Sequence, residues 1–521
     1  MKIRNLCICL ALAGSAATLP AQIANNTSLV GTTLDSSGAT LAGAKVEAVE
    51  EGTKVTYNAT TNASGYYAIT FIKPGTYDIT VHQTGFKTET KVGIPVPVDQ
   101  AVRTDFALTV GSTSDTVSVS ASTPPLSTDD ATLGETFGTR MVEDLPLNGH
   151  NAMEVAALSS NVQIGSKTSY TGVPPGEDFQ GAGQREIQNS LTLDGVSIMN
   201  NLITTAPARP SSDAISEVQM QSGNYPAQYG AYLGIHINLV SKSGTNDLHG
   251  AVYDYVENTV FDAKPFLLTP TSKKPVLNYN QYGFAVGGPV YIPKLYNGRD
   301  KTFFFGSWEK LKQIGQSTGI GTVITPAMEN GDFSALGGYN VTSKTCVPNN
   351  GTAICLKDPT TGAYYPNNQI PASELGGANA AVAKKLEQYF VAPNVAGSQN
   401  GTLNNLNDSY PTDVSITQSL DRVDETIGEH VRLFGRLHWQ NLKVVAGTIL
   451  PSGSSYGPTD SRNYAFGYTH VITPALVNDF HFGVNKLISN NLNYWAENNL
   501  KSAGTSLGIP GFTYDTTYNN P

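Results

Sequence analysis

Period-two alternation sustained over long stretches is the feature that most narrows what this chain can fold into. In Val431, Leu433, Gly435, Leu437 and Trp439 the odd positions are apolar or small, whereas Arg432, Arg436, His438 and Gln440 occupy even ones. The period returns in Tyr464, Phe466 and Tyr468, and again in Leu476, Phe480, Phe482 and Val484. Strand side chains point alternately to two faces, so each run is a ribbon with one apolar and one polar side. Composition agrees: 51 Gly, 29 Pro and more Tyr (25) than Phe (18) favour strands and turns over helices. Alternation alone leaves two architectures open, a soluble sandwich with one buried face and a sheet whose outer face meets lipid.

The N-terminus bears on that choice. Lys2 and Arg4 precede an apolar run from Ile3 to Ala17, and Ala21 before Gln22 offers a small residue for cleavage, so residues 1–21 read as a secretory signal. Gly14, Ser15, Thr18 and Pro20 cut the run short of a membrane-spanning helix. Cys7 and Cys9 leave with the signal. Cys346 and Cys355 remain and read as a disulfide in an oxidising exported compartment, closing a short loop for about 2–3 kcal/mol at most. A net charge of -10 repels a polyphosphate backbone, so nucleic acid is not an expected partner.

With 521 residues the chain has room for three or four units at roughly 150 residues each. Residues 26–110 alternate short strands with glycine turns: G-T-x-L-D-x-x-G-x-x-x-x-G-A-x-V, then T-N-A-S-G-Y-Y-A-I, then K-P-G-T-Y-D-I-T-V. This small antiparallel sandwich closely resembles the carboxypeptidase regulatory-like, starch-binding-like domain. The resemblance implies a folding or partner-docking module; Tyr66 and Tyr67 are the candidates for carbohydrate contact. Residues 111–130 turn to Ser, Thr and Asp, a linker holding the short alternating run Asp115, Thr116, Val117, Ser118, Val119, Ser120, Ala121. Such a run suits addition to a partner's open sheet edge.

Residues 131–246 carry a candidate helix near Ala152–Leu158 after Leu145, Pro146, Leu147, Asn148 and Gly149, followed by short strands. The motifs T-R-M-V-E-D-L-P-L-N-G-H-N, S-L-T-L-D-G-V (with Asp194 and Gly195), D-A-I-S-E-V-Q-M-Q-S-G-N-Y-P-A-Q-Y-G and I-N-L-V-S-K-S-G-T-N-D-L-H-G resemble the plug domain of TonB-dependent outer-membrane receptors, specifically the Oar-like subgroup. Further on, A-V-Y-D-Y-V-E-N-T-V-F-D-A-K-P-F, N-Q-Y-G-F-A-V-G-G-P-V and Y-N-G-R-D-K-T-F-F-F-G-S-W-E look like the start of the Oar-like barrel. The resemblance implies that Asp115–Ala121 is the TonB box, although Ser118 and Ser120 stand where the family more often shows Val and Thr. It also implies a periplasmic TonB-type energy-coupling protein, outer-membrane lipid and an external ligand of unread identity as partners.

The expected fold is therefore mainly β: an N-terminal β-sandwich, a small α+β plug, then a partial antiparallel transmembrane β-barrel over 247–521. Residues 316–413, rich in Asn, Gly, Thr and Pro, are expected to form a long external loop with a helical stretch at Ala380–Tyr389. About six to eight strands fit in the remainder, against about 22 in a plugged transporter, so the chain is expected to be the N-terminal part of a longer receptor. No enzyme is expected. The histidines form no H-x-x-x-H pair, no cysteines lie at zinc-finger spacing, and Gly504–Gly508 spells G-x-S-x-G without a following His. No cofactor or metal is expected either. The alternative kept beside transport is a secreted carbohydrate-binding or adhesion protein.

Overall fold

The computed structural model describes residues 27–112, 116–120, 132–145, 150–159, 161–164, 179–185, 188–199, 210–225, 229, 232–264, 274, 276–348, 354–376, 383–384, 387, 391–447, 449, 455–473, 476–489 and 492–493. The expected signal segment, 1–21, lies outside them, as do seven of the ten residues of the expected helical stretch Ala380–Tyr389; the three that are described, 383, 384 and 387, are helical.

The first unit contains β1 (Ser28–Asp35), β2 (Lys45–Glu50), β3 (Thr56–Thr60), β4 (Tyr66–Thr70), β5 (Gly75–His82), β6 (Thr88–Val96), β7 (Ala101–Arg103), β8 (Phe106–Leu108) and β9 (Thr116–Ser120). One sheet runs β3-β2-β5-β6-β9; β1 organises the other, pairing with β4, β7 and β8. Alternate residues enter a shared core that includes Leu29, Val46, Tyr67, Tyr77, Ile79 and Phe106. Gly31 sits where an added Cβ would lie 2.0 Å from Thr104 O, so this close strand approach excludes any larger side chain.

The second unit holds β10 (Leu133–Gly138), a helix (Thr139–Asp144), a 3-10 helix (Ala152–Leu158), β11 (Val162–Ile164), β12 (Phe179–Gly181), β13 (Ser190–Leu193), β14 (Val196–Ser197), β15 (Ile215–Gly223) and β16 (His236–Ser241). Its mixed sheet has the order β10-β15-β16-β13-β14, with β13 parallel to β16. Both of those strands are buried throughout, because one face packs the unit's own core and the other faces the neighbouring units.

The third unit is an antiparallel meander, β17 (His249–Asn258), β18 (Leu277–Pro289), the small hairpin β19 (Tyr291–Ile292) and β20 (Tyr296–Asn297), β21 (Thr302–Gly321), the hairpin β22 (Gly337–Asn340) and β23 (Thr345–Pro348), β24 (Leu406–Ile427), β25 (Val431–Ala446), β26 (Ser455–Thr473), β27 (Leu476–Ser489) and β28 (Leu492–Asn493). The large sheet runs β17-β18-β21-β24-β25-β26-β27, and among the described residues β17 and β27 do not pair with each other. At one end the connections are 290–301, 428–430 and 474–475; at the other they are 259–276, 322–405 and 447–454. One rim is thus short-turned and the other long-looped. The loop is narrower than the 316–413 expected, since Gln316 pairs with Pro411 and Gly321 with Leu406. Its polar, glycine-containing strand ends read as loop in sequence because they project past any apolar environment and need no alternation.

Polarity decides between the two architectures left open by alternation. The inward side chains include Gln281, Glu309, Gln418, Arg436, His438 and Asn463, all buried. Outward ones include Phe284, Tyr464, Phe466, Phe480 and Phe482, all exposed, Phe482 by 57%. A soluble sandwich would bury the aromatic face and hydrate the polar one; here neighbouring strands expose a run of aromatic side chains together, and such apolar patches mark a surface that meets something other than water. The sheet is inside-out, as an outer-membrane barrel wall is. Among the described residues no helix is long and apolar enough to cross a membrane.

Candidate functional site

The plug-like unit lies against the polar side of this wall, and its core is completed there by Ala285, Phe305 and Leu420. Two residues earlier on β21, Phe303 joins the core of the N-terminal sandwich. The start of one wall strand therefore anchors both units.

Asp194 and Gly195 form the two-residue turn between β13 and β14, with φ of 50° and 77°. Asp-Gly is the preferred pair for such a left-handed hairpin turn, which explains L-D-G-V locally. The turn aims the Asp194 carboxylate at the wall. Arg422 Nη1 on β24 donates to Asp194 Oδ1 at 3.1 Å, and Arg436 Nε on β25 lies 2.9 Å from Oδ2. Ser241 donates from its N to Oδ1 and from its Oγ to Oδ2, at 2.9 and 2.8 Å. Arg422 also makes a forked pair with Asp424 and lies over the Phe434 ring, while Arg436 Nη2 donates to Leu193 O at 3.0 Å. All these groups are shielded from water, where charge-assisted bonds are strong and removing one partner is expensive. The network extends to the sandwich: Lys73 Nζ donates to Ser243 Oγ at 2.7 Å, and Ser243 Oγ donates to Asp424 at 2.8 Å. Burial holds the Lys73 ammonium below its ordinary pKa, partly offset by Asp424.

A second polar cluster lies between strands of the wall. Glu309 accepts from Tyr253 at 3.0 Å, Gln281 at 2.9 Å and Gln418 at 2.7 Å, beside Pro210 and Ser211 of the plug-like unit.

The sandwich docks at the short-turn rim. Val98 N donates to Glu217 Oε2 at 3.0 Å, Gln219 Nε2 donates to Val98 O at 3.0 Å, and Gln100 Nε2 donates to Thr136 at 2.9 Å. Asp99 accepts from Tyr229 at 3.0 Å and from Asn238 at 3.4 Å. Arg432, at the start of β25, stacks over Tyr57 at 4.0 Å. Burial raises Glu217 to about 7 and Asp99 to about 6.

Of the other residues singled out from sequence, Thr116–Ser120 form β9, while Asp115 and Ala121 lie outside the described residues. Leu145 ends the helix Thr139–Asp144 in extended conformation; Pro146, Leu147, Asn148 and Gly149 are outside the described residues. Tyr67 corrects the carbohydrate expectation: it is 1% exposed and donates its hydroxyl to Thr104 O at 2.6 Å. Its ring packs the sandwich core and offers no face to a sugar, and Tyr66 beside it is only half-buried on the other face. Cys346 and Cys355 are joined, in the loop hairpin β22–β23 region. Among the described residues no group of three or more His, Cys, Asp and Glu could hold a metal. Sequence reasoning missed Lys73, Arg422 and Asp424; for the two on β24 the signal available was charge on the polar face of an otherwise amphipathic ribbon, as already visible at Arg436, whereas Lys73 lies in the connection between β4 and β5 and carried no such signal.

Residues 28–109 match the carboxypeptidase regulatory-like domain. The TonB-dependent transporter Oar of Myxococcus xanthus is 22% identical over 298 residues, covering 55% of this chain and 27% of that protein. The chain thus spans about a quarter of the curated relative it matches. Among solved structures, the outer membrane transporter YddB from Escherichia coli is 10% identical with a TM-score of 0.42, covering 69% of this chain and 39% of that one. The siderophore receptor PirA from Pseudomonas aeruginosa is also 10% identical, at a TM-score of 0.37 over 69% of this chain and 41% of its own. Residues 240–521, more than half of the sequence and the stretch that contains the described strands of the inside-out wall, match the outer membrane beta barrel domain, and the chain belongs to that family.

Proposed function

We propose that the chain is the plug-bearing part of a TonB-dependent outer-membrane receptor that imports a ligand with energy supplied from the periplasm. The observation that carries this reading is Asp194, a plug carboxylate held by two guanidinium groups on the polar face of an inside-out wall. A cork tied to the wall by a few buried ion pairs is stable at rest and releasable when force or ligand shifts the balance between closed and displaced states.

In this reading the aromatic convex face contacts outer-membrane lipid, the long connections lie outside the cell, and the short turns with the N-terminal sandwich lie in the periplasm. The external ligand binds at the 322–405 loop and the plug, and the periplasmic TonB-type protein engages Asp115–Ala121. No chemical step is catalysed. Protease added to intact cells should cut within 322–405 and spare the sandwich, which should be cut only after the outer membrane is permeabilised. Recovery of full-length protein in the soluble secreted fraction, with no outer-membrane pool, contradicts the receptor. Deleting residues 115–121 should abolish energy-dependent uptake while leaving surface binding of the same ligand intact; unchanged uptake removes the coupling role of that segment.

A further inference from the structure

The coupling segment is not a free tether. Strand β9 is the terminal strand of the sandwich sheet β3-β2-β5-β6-β9, parallel to β6 with Thr88 opposite Thr116 and Val92 opposite Ser120. Among the described residues no strand pairs with its other edge. Thr90 bonds across to Thr80, so Thr90 and its neighbour Ser118 share the outer face of the sheet. On the opposite face Val119 stands beside Lys91, whose ammonium reaches back to Asp105 O and over Phe106. Val117 and Val119 remain 45% and 44% exposed, an edge strand still lacking a neighbour.

An open edge of this kind is a template for strand addition. Its pairing to β6 has already met the entropy of extending the segment, which preorganises it for a partner. We propose that the N-terminal sandwich is part of the energy-coupling interface: β9 stays on β6 while an extended strand of the TonB-type protein adds to its outer edge. The inference rests on the reading of Asp115–Ala121 as the coupling segment and goes beyond it by assigning the sandwich a role. A pull then enters through the sandwich, and reaches the plug at the Val98 contacts with Glu217 and Gln219 as well as along the chain.

The test uses the full chain in detergent and the purified periplasmic domain of the TonB-type protein from the same bacterium. In the double variant Thr90→Cys, Ser118→Cys, oxidation locks β9 to β6. Oxidised and reduced forms should bind within about threefold of one another. Binding at least tenfold weaker in the oxidised form means that β9 must leave the sandwich, and overturns the proposal. Hydrogen exchange on the unmodified chain gives the same answer without a variant: the partner should raise protection in β9 and leave β6 protected, and loss of β6 protection overturns the proposal. Self-association through β9 with no binding of the periplasmic domain assigns the edge to a second copy, again overturning it. If neither the wild-type chain nor the reduced variant binds, and deleting 115–121 changes nothing, the coupling segment itself is misassigned and the proposal falls with it.

Discussion

At Asp194 two guanidinium groups and both donors of Ser241 converge on one carboxylate, but the two arginines do not depend on it equally. Arg422 keeps Asp424 as a second counter-ion; among the described residues Arg436 has Asp194 as its one anion, its other partners being the carbonyls of Leu193 and Asn463. Asp194→Asn preserves shape and removes charge, so its cost falls mainly on Arg436, left buried without an anion. The expected loss in docking of the plug-like unit is about 3–5 kcal/mol, read as proteolytic release of the 188–241 region and a lowered unfolding midpoint. Adding Arg436→Met should recover much of it, because an apolar side chain needs no counter-ion there. A double variant as unstable as the sum of the singles would show that the two residues do not act as a pair. In the sandwich, Tyr67→Phe leaves Thr104 O without its donor at a buried site and should cost about 1–3 kcal/mol by denaturant melting.

The elements differ in how much of them could be seen in advance. The glycine-spaced sandwich strands are local, two to five residues wide, and were legible; Asp194 and Gly195 stood out only as part of a motif, although the turn they form is just as local. The ion pairs of Asp194 join positions more than two hundred residues apart, and no spacing rule announces a partner at that distance. β9 looked like linker because five short residues in a Ser/Thr context become a strand only through β6. Docking of the sandwich hairpin around Val98 should depend on pH. Burial raises Glu217 from the ordinary carboxylate value to about 7 and Asp99 to about 6. A group whose docked pKa is raised favours docking below its free pKa, near 4.5 for Glu217, and that contribution is lost as pH rises through about 7. Exchange protection of Val98, corrected for intrinsic rate, should therefore be greater at pH 5.5 than at pH 8, and Glu217→Gln should flatten the difference. A Glu217→Gln protein with the wild-type pH profile would place the sensitivity at Asp99 or elsewhere.

For the whole molecule, alternation showed ribbons but not which face was wet, because period two is the same in a sandwich and a barrel wall. The answer came from what fills the concave side: a unit with its own core, tied to the wall by buried charges. Energetically the two assignments are opposite, since exposing Phe284, Tyr464, Phe466 and Phe482 to water loses transfer free energy that contact with hydrocarbon recovers. The most direct measurement is lipid contact along β26. Single fluorophores placed at successive positions Arg462, Asn463, Tyr464, Ala465 and Phe466 of the protein in native-composition vesicles should be quenched by brominated acyl chains at Tyr464 and Phe466 and not at Asn463 or Ala465. Quenching absent at Tyr464 and Phe466, with water-soluble quencher reaching them instead, would contradict the inside-out wall.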